Sequence, residues 1–145
     1  MSNADQRRSV VHAGCTTSAM RYVDADAAVD FTLANDVDVE TIEHDLAKYR
    51  SIALVFPKWA DGRAYSQARL LRVRYRFTGE VRATGEVLVD MMPLLARTGF
   101  DAVVLRADQS REFAERALSF FPDGHYQGDL IEPQPRFRRE AKDPA

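Results

Sequence analysis

One cysteine, Cys15, stands in the 145 residues. A single thiol excludes an internal disulfide, a four-cysteine iron–sulfur cluster and a Cys-x-x-Cys redox pair within the chain, so redox chemistry would need a partner. No apolar run approaches the roughly 20 residues of a membrane span, and the N-terminus has no signal-peptide apolar region. A cytoplasmic protein without a membrane partner is expected. An excess of one charge is also missing. The 20 Lys and Arg against 22 Asp and Glu leave a net charge of -2, which removes the broad positive field that nonspecific nucleic-acid binding needs. Gly-x-Gly-x-x-Gly, Walker and Gly-x-Ser-x-Gly motifs are absent, so nucleotide binding and serine catalysis have no motif behind them. His12, His44 and His125 lie far apart and form no His-x-x-x-His or paired-cysteine pattern. No metal and no cofactor is therefore expected.

What is present is an ordinary globular composition, 46% hydrophobic and 29% charged, in a chain long enough to bury about 68% of its unfolded surface in one core. Met1-Ser2-Asn3-Ala4 resembles the scar of a cleaved tag, and residues 1–27 have no sustained period, so a loosely ordered start is expected. Residues 132–145 mix prolines with charges of both signs and read as a disordered tail. The single domain is then 28–131. Ala28–Leu33 suggests a strand, and Asn35-Asp36-Val37-Asp38 offers N-caps for a helix through Ile42, Leu46 and Tyr49. Ser51–Phe56, closed by Pro57, reads as a strand covered on both faces. A helix over 64–77 would turn Ala64, Ala68, Leu71 and Tyr75 to the sheet, with Leu70, Val73 and Phe77 as a second stripe for another helix or subunit. Strands follow at 80–84 and 100–105. Between them Asp90 would cap a helix with Pro93 in its first turn, and a last helix would bury Phe113, Ala117, Phe120 and Phe121. The fold class is a small α/β domain with a mainly parallel sheet and right-handed βαβ units, three-layer or half-barrel-like.

Ligands of open parallel sheets bind beyond the carboxyl ends of the strands, where Phe56-Pro57-Lys58-Trp59-Ala60-Asp61-Gly62-Arg63-Ala64-Tyr65-Ser66 falls. Lys58 and Arg63 would bring positive charge there, and free N–H groups at the helix start would favour an oxyanion. The candidate ligand-binding residues are Lys58, Asp61, Arg63, Ser66 and Glu86. Asp61-Gly62 has an equally plain role as a turn, and Trp59 could stack on a ligand or cap the core. Arg69, Arg72 and Arg76 share a stripe that could dock an acidic partner, or could be a solvated basic face. Arg82, Glu86, Asp90 and Arg106 are expected near one rim, where Glu86 or Asp90 could serve as a base only if its pKa were tuned. Met91 and Met92 would line a pocket or pack the core.

From about Asp30 to Gln127 the chain resembles a bacterial family known as domain of unknown function 934, described as an oxidoreductase of sulfite reduction. The likeness rests on the Phe56–Ser66 segment, on Ala68-Arg69-Leu70-Leu71-Arg72 with Tyr75, on Gly79–Leu88 and on Gly99-Phe100-Asp101. Ala64 replaces the family's usual Gly, Met91 its usual Gln, and Pro93 is unexpected. The resemblance implies association with assimilatory sulfite reductase and sulfide production for cysteine, but carries over no catalytic residue. Reducing sulfite takes several electrons, and nothing in the chain would hold sirohaem, a cluster, a flavin or a nicotinamide by a recognisable motif. An accessory protein is the first expectation, binding a small sulfur oxyanion or docking on the reductase. The alternatives are an independent enzyme on a carbonyl or phosphate substrate, with Lys58 as electrophile or base converging on Asp61 and Glu86, and a purely structural interaction subunit. A homodimer would cover the second apolar stripe and the open sheet edges.

Overall fold

Ser51–Phe56 forms a strand with the bounds its apolar run predicts, in a computed structural model that describes residues 20–120 together with Gly128, Leu130, Pro133 and Gln134. The strands are β1 (Arg21–Tyr22), β2 (Phe31–Leu33), β3 (Ser51–Phe56), β4 (Glu80–Gly85) and β5 (Ala102–Val103). The helices are α1 (Arg63–Val73), α2 (Met92–Thr98) and α3 (Arg111–Ser119), with 3₁₀ turns over Val39–Lys48 and Val89–Met91. All pairings are parallel, in the order β1-β5-β4-β3-β2.

Strands β2 to β5 are neighbours in chain order, so right-handed crossovers put every helix on one side of the sheet. The side chains agree. Alternation places Leu33, Ile52, Leu54, Phe56, Val81, Ala83 and Val103 on one face, and these join a single cluster with Ala64, Ala68, Leu71, Met92, Leu95 and Ala114 of the helices. Each fully buried Leu, Ile or Phe among them contributes about 1.5–3 kcal/mol. Of the two expected architectures, this is the half-barrel-like one.

The other face has a different chemistry. Ala53, Arg82 and Ala102 stand side by side there in register. Since β1 and β2 lie at opposite edges, the chain joining them must pass over this face. Arg82, only 5% exposed, holds it there. Its Nη1 donates to the carbonyls of Ala27 and Ala28, each at 3.1 Å, and its Nε donates to Glu80 at 2.8 Å. Glu80 also receives Arg21. At the far edge Asp30 accepts the Arg50 N–H at 2.6 Å and donates its own N–H to Ser51 Oγ at 3.0 Å. The reading that set Arg82 on a rim with Glu86 and Asp90 is corrected: it is the buried anchor of the crossing segment.

Other boundaries also differ. The sheet takes in Arg21–Tyr22, inside the stretch expected to be loose, because the N–H groups of Arg21 and Val23 bond to Asp101 and Val103 of the β5 edge, both at 2.9 Å. The first strand is shorter than Ala28–Leu33 because residues 23–30 make the crossing. The strand expected over 100–105 narrows to Ala102–Val103. α1 ends at Val73 rather than 77. Arg76 adopts φ 53, and this reversal carries the Phe77 N–H to the Leu71 carbonyl at 2.8 Å and turns Phe77 into the core, leaving Leu70 and Val73 exposed. Asp90 makes no capping bond; a 3₁₀ turn precedes α2, with Pro93 in the first turn of the helix. On α3 it is Ala114 that is buried, while Phe113 and Phe120 are exposed. Gly99 ends α2 at φ 99, as expected of a left-handed stop. Cys15, His12, His125, Phe121 and most of the expected tail lie outside the described residues.

Candidate functional site at the carboxyl rim of the sheet

The ends of β3 and β4 are clamped together. The Glu86 N–H donates to the Phe56 carbonyl at 2.8 Å, and Gly85, at φ 93, lies so close that a Cβ would sit 2.4 Å from that oxygen. Only glycine fits. From this fixed point Pro57–Gly62 turns outward, with the Asp61 N–H bonded to the Lys58 carbonyl at 3.0 Å. The turn aims the Asp61 carboxylate at the start of α1. It accepts the Arg63 N–H at 3.2 Å, the Arg63 guanidinium at 2.8 and 3.1 Å, and the Asn35 amide at 2.7 Å. These donors hold its carboxyl well below the usual range.

Asn35 was read from sequence as one of several caps. It reaches Asp61 because Gln67, buried on α1, donates to the carbonyls of Ala34 and Val37, each at 2.8 Å, and so ties the loop after β2 to the helix. Gln67 itself escaped notice. Its signal was a polar residue beside Ala64 and Ala68 on the stripe that faces the sheet. Tyr65 packs edge-on against Phe56, ring centroids 5.0 Å apart, and burial pushes its phenol up to about 12, so it stays protonated at neutral pH.

A second cluster sits beyond β4 and β5. Arg106 donates to Glu86 at 2.9 Å and to both oxygens of Asp108 at 2.6 and 2.7 Å. The arginine lowers the Asp108 carboxyl to about 2. Glu86 and Arg106 thus meet, as the rim reading expects, with Asp108 as the partner it did not foresee. No side-chain hydrogen bond or ion pair among the described residues joins Glu86 to Asp61. The convergence with Lys58 that an independent enzyme would need is not made by these contacts.

The remaining candidates divide. Lys58 and Ser66 are exposed, and their side chains pair with nothing among the described residues. Trp59 is 59% exposed. Arg69 and Arg76 are exposed, but Arg72 is turned into the structure, donating to the carbonyls of Gly99, Phe77 and Gly79 and to Asp101. Among the described residues no three His, Cys, Asp or Glu side chains gather into a metal site, and no helix is long and apolar enough to cross a membrane. The rim therefore presents two internally neutralised arginines, one free ammonium and one open indole.

A family model, bacterial protein of unknown function (DUF934), matches residues 30–137, which include both rim clusters. The chain belongs to the DUF934 family. No curated protein and no solved structure matches it. Ala64 and Met91, the two positions that the resemblance read from sequence singled out, have a place in the fold. Ala64 is fully buried at the start of α1. Met91 is 7% exposed, and its sulfur accepts the Leu88 N–H at 3.3 Å. A glutamine oxygen three residues after a helix start can make the same backward contact, so Met91 holds a structural position in this turn.

Proposed function

We propose that this DUF934 protein is an accessory factor of assimilatory sulfite reduction that acts by docking on sulfite reductase through its carboxyl rim. The observation that carries the docking role is the pair Lys58 and Trp59: an unpaired ammonium beside an indole that is 59% exposed. Exposed large aromatics, tryptophan above all, are typical anchors of protein interfaces. The arginines of the same rim are already held by Asp61 and Asp108, which leaves recognition to this tip. The link to sulfite reduction is supported by the family resemblance drawn from the sequence. A self-contained reductase gets no support, since no redox motif accompanies the rim.

A small sulfur oxyanion at the same place is the second reading. Lys58 favours it, whereas the Asp61 carboxylate at the start of α1 opposes it. The two readings separate experimentally. Affinity capture of the tagged protein from its native cell, followed by mass spectrometry, should enrich sulfite reductase, and Trp59→Ala should lose it at an unchanged melting temperature. Capture without the reductase would overturn the docking role. Sulfite at 100 times its dissociation constant should add about 2.7 kcal/mol in thermal denaturation if the oxyanion is the ligand. Absence of a shift rejects that reading alone. Light scattering of the isolated protein measures the homodimer expected from the exposed Leu70 and Val73.

A further inference from the structure

Two neighbouring elements on the helical side of the sheet carry opposite charge. From 36 to 45 the chain has the acids Asp36, Asp38, Glu40, Glu43 and Asp45 and no Lys or Arg. From 62 to 77 it has Arg63, Arg69, Arg72, Arg74 and Arg76 and no acid. The fold sets these stretches side by side: Gln67 of α1 holds the carbonyls of Ala34 and Val37, and Val39, Ile42 and Leu46 share the core with Ala64, Ala68 and Leu71. Yet they do not pair with each other. Arg63 goes to Asp61, Arg72 to Asp101 and Asp45 to Lys48. No ion pair among the described residues joins an acid of 36–45 to an arginine of 62–77, and Asp38, Glu40, Glu43, Arg69, Arg74 and Arg76 are all exposed. Along the seam runs an apolar line. Val37 is 39% exposed, Leu70 36% and Val73 56%. Leu70 and Val73 follow Gln67 at helical steps of three, which carries the line from Val37 down α1.

We infer that two copies of the chain pair through this face, α1 of each lying against the 36–45 segment of the other. A twofold contact presents one patch to itself, so its axis decides which charges meet. An axis along α1 exchanges the two flanks. It brings the arginines of each copy onto the acids of its partner, twice over, and closes Val37, Leu70 and Val73 on their counterparts between them. The axis at right angles to this in the same plane would set acid on acid and arginine on arginine, which repulsion disfavours. The selected axis has a consequence for the rim. It keeps the two α1 helices parallel, so both carboxyl rims, each with its Trp59, point to the same end of the dimer. A partner with two docking sites would be held at two points, with the gain in affinity that linkage gives. The pairing itself is independent of the docking role.

Sedimentation velocity of the full chain and of charge-exchanged variants tests this. The parent should sediment as a dimer. Arg69→Glu with Arg76→Glu places acid on both flanks, and Glu40→Lys with Glu43→Lys places base on both. Each pair of substitutions alone should give a monomer with the far-ultraviolet circular dichroism of the parent, since all four side chains are exposed. An equimolar mixture of the two variants should return to dimer, because acid then faces base on both sides. A chain carrying all four substitutions should dimerise by itself, since its flanks have merely changed places. The proposal is overturned if the parent stays monomeric up to its solubility limit, if the two variants remain dimeric, or if neither the mixture nor the fourfold variant reassembles.

Discussion

Asp61 and Asp108 carry out the same chemistry at two places on the rim: a turn carboxylate locks the guanidinium two residues away. The turn at Asp61-Gly62 was legible, since it is a local matter, but Arg63 was read as a charge offered to a ligand and is instead held by Asp61. The Asn35 contact was not legible, because Asn35 lies 26 residues from Asp61 and meets it only through the tie made by Gln67. The pairing has a direction in pH. Asp108 ionises at about 2 in the fold against an ordinary 3.8, so the fold favours the charged form. Its contribution is fully present above about pH 4 and is lost as pH falls through about 2. Asp108→Asn should therefore flatten the decline in stability between these values, measured as urea midpoints across an acid series. Because the pair is exposed, added salt should shrink the difference. An unchanged acid limb would mean that Arg106 does not hold Asp108 in solution.

α1 shows how one helix can serve two ends of a sheet. Its first turn meets the rim through Arg63 and Gln67, and its last turn carries Arg72, whose side chain is 15% exposed. Arg72 satisfies three carbonyls from the turn before β4 and the end of α2. It also holds Asp101, which accepts the Val81 N–H at 3.0 Å. Helical spacing put Arg69, Arg72 and Arg76 on one stripe, but it does not say which of them finds buried acceptors. That depends on where β4 and β5 begin. Arg72→Met would strand those acceptors and should cost about 2–4 kcal/mol in chemical denaturation. Arg69→Met, on the solvent side, should stay within about 0.5 kcal/mol. Equal effects would assign both arginines to the surface.

The molecule as a whole is a singly wound sheet with helices on one face and a crossing strap on the other. Such a sheet leaves its second face to be covered by other means, and here Arg82 supplies the link from the middle of β4 to the strap. Arg82→Met would leave Glu80 with Arg21 alone and the carbonyls of Ala27 and Ala28 without this donor. Amide hydrogen exchange of residues 23–30 should accelerate while β3 stays protected. Exchange that rises uniformly would instead make Arg82 a support of the whole core.

Composition, the apolar run of β3, the turn at Asp61-Gly62 and the glycine stops were readable because each depends on residues adjacent in the chain, where backbone sterics and local hydrogen bonds decide the outcome. Strand order decided the rest. It sent Arg82 to carbonyls 54 and 55 residues away, turned Arg72 inward and split the expected rim into two ion-paired clusters. A buried guanidinium goes to whichever carbonyls the packed elements leave without donors, and those are settled only once the strands lie side by side.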